Sequence, residues 1–182
     1  MCGSKKSLVI RDDQPLVINF LGTRHAIHGK LVDELADAMT ARIWVEKLYR
    51  RMNWGSPRWV PNEKNLCQLH GVRESLNSIF WDRVRGEELG KLLRKIAFME
   101  GKTKEARERS RASKSSGAYL DFVLAVLAST SWVLSCEGDM KLRSCRNDRC
   151  IRFFVSSNPR KKWCSDLCGN RERVRRHYRS NI

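Results

Sequence analysis

The 182-residue sequence predicts a mainly α-helical fold: an N-terminal helical domain, then a small cysteine-rich module that ends in a basic helix. Three observations predict it. Apolar residues recur every three or four positions through most of residues 31–134. Four of the seven cysteines fall within 24 residues, at Cys145, Cys150, Cys164 and Cys168. The net charge of +16 is also unevenly spread, because residues 140–182 hold 13 Lys and Arg against 3 Asp and Glu. With 41% hydrophobic and 31% charged residues, the chain can build a core, and wholesale disorder is excluded. No uninterrupted apolar run reaches 18 residues, so neither a spanning helix nor a membrane partner is expected. The basic N-terminus is not followed by a long apolar region with a cleavage site, which makes the cytosol the expected compartment.

Residues 1–13 are mostly polar and read as a flexible tail that includes Cys2. The helical domain then spans 14–139. Its first apolar run, 16–21, is too short to type by period, and His25, His28 and Gly29 follow in an expected loop. Leu31, Leu35 and Met39 stand at helical spacing, and Thr40 is placed to cap a helix that buries Ile43, Trp44, Leu48 and Met52. A loop over 54–61 carries two prolines, with Trp54 and Trp59 folding back onto the core. Asn62 or Asn65 starts the next helix, which buries Leu66, Leu69, Val72, Leu76 and Ile79 and ends near Gly86. Leu89, Leu92, Leu93 and Ile96 mark another helix, ending near Gly101. Residues 100–117 lack aliphatic periodicity and read as a solvated, mobile loop. The most buried helix covers 119–134, and the composition shifts to cysteine and arginine after Gly138 and Asp139.

The module, 140–182, carries the chemistry. Its cysteines form two pairs, Cys145 with Cys150 and Cys164 with Cys168, thirteen residues apart. Each pair has the close spacing that contributes two corners of a zinc tetrahedron, and reduced cytosolic chains use such pairs for metal rather than disulfides. Four thiolates leave no open position for water, so one structural Zn²⁺ is expected and zinc catalysis is not. About 40 residues cannot bury enough apolar surface alone, and metal binding of order 10 kcal/mol supplies the missing stability. A short strand is expected over 151–155 and a turn at Asn158-Pro159-Arg160. Gly169 and Asn170 begin the last helix, with 171–178 as its body. At 100° per residue, Arg171, Arg175 and Arg179 fall within about 80° of each other and form a basic ridge.

Trp163-Cys164-Ser165, then Cys168-Gly169-Asn170-Arg171 and an arginine-rich tail, resembles the bacterial CGNR zinc finger. The first cysteine pair and Phe154 fit the same pattern, although the family's second pair usually holds one residue more. Upstream, Ile18-Asn19-Phe20-Leu21-Gly22-Thr23-Arg24 resembles the opening of the ABATE helical domain that precedes this finger in stress-induced transcription regulators. The resemblance implies a mainly helical first domain and a bacterial DNA-binding transcriptional regulator.

The function expected is therefore a cytoplasmic, nucleoid-associated regulator that binds duplex DNA. Arg171, Arg175 and Arg179 are candidates for base or phosphate contacts. Arg160, Lys161, Lys162 and Arg176 are candidates for backbone contacts, and Asn170 for a cap or a base contact. A homodimer and an unknown small-molecule effector would suit the first domain. An RNA-binding zinc module and a zinc-scaffolded protein-interaction module are the alternatives. No Ser/His/Asp array, P-loop or dinucleotide signature stands out, so no enzymatic activity is expected.

Overall fold

The computed structural model describes residues 11, 13–27, 30–110, 114–136 and 140–180. Cys2, His28, Gly29 and the expected boundary at Gly138-Asp139 lie outside the described residues. The described fold is mainly α, with six helices and two small antiparallel hairpins.

The apolar run at the start is a one-turn-and-a-half helix, α1 (Leu16–Leu21), and all six of its residues are buried. The expected loop after it is instead a hairpin of β1 (Arg24–Ile27) and β2 (Lys30–Asp33), with His25 opposite Val32. His25 is therefore a buried strand residue, 1% exposed, rather than a loop histidine. The helix read through Leu31, Leu35 and Met39 does not form, because Leu31 lies in β2 and Met39 is exposed. The next helix, α2 (Ala38–Arg51), is capped by Asp37, whose carboxylate accepts from the Thr40 backbone N–H at 2.8 Å. Thr40 is thus the third helical residue of a reciprocal capping box, not the cap itself. Trp44 and Leu48 are buried as expected, whereas Ile43 is exposed.

Asn62 caps α3 (Glu63–Val84), accepting from the Asn65 N–H at 2.9 Å. The chain leaves α3 through Gly86, whose φ of +96° is a left-handed value that glycine tolerates without strain. Helix α4 (Leu89–Arg109) does not stop at Gly101, and residues 100–109 of the expected mobile loop are helical. The segment has no apolar stripe because ion pairs hold it: Lys104 with Glu100, Lys102 with Glu105, and Arg107 reaching Asp121 on the next helix at 2.8 Å. Lys, Glu, Arg and Ala are also strong helix formers, a signal that hydrophobic period alone ignores.

Helix α5 (Lys114–Ser135) is the central element and packs on α1, α3 and α4. Over 116–135 it is long and apolar enough to cross a bilayer, and its Phe122, Val123, Val126 and Leu127 are buried in the core. Phe122 lies edge-on to Phe20 and Trp44, with centroids 6.3 and 6.4 Å away, and Trp59 meets Tyr119 at 5.3 Å. Each such pair contributes about 1 kcal/mol beyond its buried area.

The second hairpin pairs β3 (Lys141–Ser144) with β4 (Phe153–Ser156), Leu142 opposite Val155. Alternation along β4 sends its side chains to two places. Phe154 faces the cysteine cluster, while Phe153 and Val155 join the core of the helical part. Phe153 stacks edge-on against Phe80 and Trp81 of α3, at 5.4 and 5.0 Å. One hydrophobic core thus runs from α1 into the cysteine-rich module. Residues Arg11 and Asp13, read as tail, are hydrogen-bonded to each other, and Arg11 also reaches Asn19 and the Cys164 carbonyl. The last helix, α6 (Asp166–Ser180), starts earlier than expected, so Gly169 and Asn170 lie inside it.

Candidate metal centre and its basic surroundings

Cys145 follows β3 directly, and its N–H donates to the Arg152 carbonyl at 2.9 Å, extending the hairpin ladder by one pair. Buried Asn147 shapes the turn to Cys150: its side chain accepts from the Arg149 N–H at 3.2 Å and its carbonyl from the Cys150 N–H at 2.9 Å. The second pair straddles the start of α6. Ser165 stands at the N-cap, its hydroxyl accepting from the Cys168 N–H at 3.4 Å and its carbonyl from the Gly169 N–H at 3.1 Å. Cys164 precedes the cap and Cys168 lies in the first turn, where the positive end of the helix dipole favours thiolate.

All four Sγ atoms lie within 4.8 Å of one another. Cys164 Sγ is 3.7 Å from both Cys150 Sγ and Cys168 Sγ. Zinc–sulfur bonds of about 2.3 Å in a tetrahedron place sulfurs about 3.8 Å apart, so the donor set fits that ion in both chemistry and spacing. The Cys164 N–H donates to Cys145 Sγ at 3.4 Å, the kind of outer contact that steadies a thiolate ligand. The cluster shares its protons unevenly. Hydrogen bonds from Cys150 and Cys164 bring the Cys145 thiol down to about 7, and those from Cys145, Cys150 and Cys164 hold Cys168 low as well. Cys150 and Cys164 are pushed up by their cysteine neighbours and by burial. The four cysteines are positioned to bind one metal ion.

Gly169 explains how α6 sits so close. A Cβ there would meet the Trp163 ring at 3.2 Å, tighter than ordinary van der Waals contact, so glycine lets the first turn rest on that indole without displacing it. The Arg176 guanidinium covers the same ring, 5.9 Å from its centroid. The arginine ridge is not uniform, however. Arg171 and Arg179 are exposed. Arg175 is clamped by Glu172 at 2.5 Å and Asp148 at 2.6 Å, contacts that raise its already high pKa. Asn170 is an exposed residue of the first turns, which removes its proposed capping role. Arg160 is exposed on the turn after β4, its N–H held by the Asn158 side chain at 2.9 Å. Lys161 rests its ammonium over Phe154, 5.8 Å from the ring, and Lys162 is exposed beside it.

Sequence reasoning missed the residues that fasten the module to the helices. Gln14 takes the free edge of β4, accepting from the Val155 N–H at 2.8 Å and donating to its carbonyl at 3.1 Å. Buried Asn19 holds the segment that presents it, accepting from the Arg11 N–H at 2.7 Å and donating to the Arg11 and Gln14 carbonyls. The Arg11 guanidinium in turn donates to the Cys164 carbonyl, next to the cysteine cluster. Asp148 and Glu172 were also missed, although the three-residue spacing of Glu172 and Arg175 was a readable signal.

Residues 141–180 match the family model of the CGNR zinc finger. The comparisons with curated proteins and with solved structures give no match.

Proposed function

We propose that the protein is a DNA-binding transcriptional regulator, acting in the bacterial cytoplasm on nucleoid DNA, whose zinc finger presents α6 to the duplex. The observation that carries this reading is the placement of Cys164 and Cys168 on either side of the α6 N-cap. A metal held there fixes the first turn of a helix whose exposed residues include Arg171 and Arg179. Guanidinium groups on a rigid helix suit phosphate oxygens and guanine edges, and a net charge of +16 draws the protein to a polyanion. In this reading Arg160, Lys161 and Lys162 position the module on the backbone and Arg175 braces α6 through Asp148 and Glu172. The helical part is an ABATE-type domain whose opening motif, through Asn19, anchors the finger.

Fluorescence anisotropy with a labelled mixed-sequence duplex, repeated across salt concentrations, tests the proposal. Each neutralised phosphate contributes about −0.9 to the slope of log K against log salt. A steep negative slope that disappears in Cys164→Ser/Cys168→Ser protein is the expected result. A slope near zero in zinc-loaded protein contradicts it.

A further inference from the structure

Between the helical part and the finger lies a cleft of about 590 Å³, with walls from the ends of α3 and α5 on one side and β3 and the 159–162 turn on the other. Six cationic side chains line it: Arg83, Lys141, Arg143, Arg146, Lys161 and Lys162. No Asp or Glu stands among its described lining residues. Elsewhere on the described surface several cations are paired, Arg24 with Glu74, Arg42 with Glu46, Lys91 with Glu87, Lys95 with Asp82, Arg107 with Asp121 and Arg175 with Asp148, and what sets the cleft apart is six cations gathered in one concavity with no carboxylate among them. None of the six forms an ion pair with a described carboxylate.

Arg143 shows that the arrangement is built rather than incidental. Its guanidinium donates to the Pro159 carbonyl at 2.8 Å, which fixes the side chain against the 159–162 turn that lines the cleft. Its Nε is buried and has no hydrogen-bond partner. The fixed guanidinium stands among five other cations, a concentration of like charge that a bound anion would relieve. Lys161 is likewise fixed, by its seat over Phe154. Arg83 comes from α3 and the other five from the finger, so the cleft exists only because the two parts share a core.

We propose that this cleft is a phosphodiester seat, a second phosphate-binding surface for duplex DNA beside α6. The proposal rests on the DNA-binding reading and deepens it. Recognition would then combine a finger helix with the body of the helical domain. Arg83, Lys141, Arg143 and Arg146 take backbone phosphates.

The test uses full-length zinc-loaded protein in two arms. In the first, anisotropy with a mixed-sequence duplex compares wild type, Arg83→Gln/Lys141→Gln/Arg146→Gln and Arg171→Gln/Arg179→Gln. The cleft variant is expected to bind roughly 10- to 100-fold more weakly at low salt, with a salt slope shallower by about 2.7, one counterion term per lost contact. Wild-type affinity and slope in the cleft variant, with loss confined to the helix variant, overturn the cleft and leave the DNA reading standing. In the second arm, inorganic tripolyphosphate is titrated and thermal protection is followed. Protection of wild type but not of the cleft variant, together with duplex binding that the cleft variant loses, supports the seat, whereas protection without any duplex binding leaves an anion site but overturns its assignment to duplex DNA along with the DNA reading. No protection by tripolyphosphate and no duplex binding overturn both. Retained zinc and an unchanged far-ultraviolet spectrum in each variant exclude misfolding as the cause.

Discussion

Cys164 and Cys168 each supply one sulfur to the cluster, but they differ from Cys145 and Cys150 in also fixing the first turn of α6. Replacing Cys168 with Ser removes one soft donor and the thiolate favoured by the helix start, so zinc content in reduced, purified protein is expected to fall to well below one equivalent. The module without metal loses stabilisation of the order of 10 kcal/mol, enough to melt α6 by circular dichroism while most of the larger helices remain. Zinc ligands bind as thiolates, so metal release on acidification is a second consequence, with protons displacing the ion. His25 gives an acid response of its own. It is buried in β1, and burial and the charge of Arg152 hold its pKa below the ordinary 6.5, outweighing the opposing pull of the Thr23 and Gly22 backbone and of Asp33. The folded state therefore prefers the neutral ring. The unfolded chain binds the extra proton first as pH falls below about 6.5, so stability is lost between that pH and the lower folded value. Denaturant melts of wild type and His25→Phe between pH 7.5 and 5 check this. The variant should lose less stability over the interval, and equal losses would show that His25 is not the group responsible. Asp33 works in the opposite chemical sense. Burial pushes its carboxyl up, but hydrogen bonds and the charge of Arg73 outweigh burial and leave it below the usual carboxylate range. Arg73 is 4% exposed and bound bidentately at 2.6 Å, so Asp33→Asn leaves a buried cation without its partner. A loss of about 3 kcal/mol in urea unfolding is expected.

At the scale of elements, the legible parts of the fold were those with a strong apolar period and those with chemistry at fixed spacing. Helices α2, α3 and α5 carry their buried residues three or four apart, and Leu66, Leu69, Leu76 and Ile79 are all in the core. The cysteine pairs were legible for a different reason, since a tetrahedral ion tolerates few spacings. Three kinds of element were not legible. The hairpin over Arg24–Ile27 and Lys30–Asp33 is short, and its Leu31 happens to stand at helical spacing from Leu35 and Met39, which lie beyond it. The end of α4 is stabilised by charge pairs and has no apolar face to count. The partner of the free edge of β4 is a side chain more than a hundred positions away in sequence, which no local pattern announces. That last contact gives a prediction about elements. Gln14→Ala leaves both backbone groups of buried Val155 without partners, at a cost of about 2 kcal/mol. Hydrogen exchange at the β3–β4 hairpin should accelerate more than exchange in α2. Uniform acceleration would mean that the module does not depend on this clasp.

At the scale of the whole molecule, the decisive feature is that one strand, β4, serves both the core of the helices and the buried cluster around the cysteines. Phe153 and Val155 are hydrophobic core residues of the helical part, while Phe154 between them faces the cysteines. Metal affinity is therefore coupled to the stability of the larger body through a single strand. A ligand that binds only the folded state adds to its stability, and its removal subtracts the same amount from every element that unfolds with it. If β4 is set by the metal, chelation withdraws Phe153 from α3 and Val155 from the shared core as well as melting α6. Calorimetry of zinc-loaded protein is expected to show one cooperative transition, and addition of a strong chelator should shift it down by several degrees while lowering its enthalpy. An autonomous finger on a helical body would give a different trace: two transitions, of which the chelator moves only one. The shared core also sets the geometry of any polyanion contact, since the cleft between Arg83 and Arg146 keeps its width only while Phe153 stays between Phe80 and Trp81. Phe153→Ala, which leaves every cation and cysteine in place, should therefore weaken duplex binding as well as lowering stability by about 3 kcal/mol. Its binding defect should be recovered in part at lower temperature, where the folded population is restored, whereas the defect of the Arg83→Gln/Lys141→Gln/Arg146→Gln variant should persist.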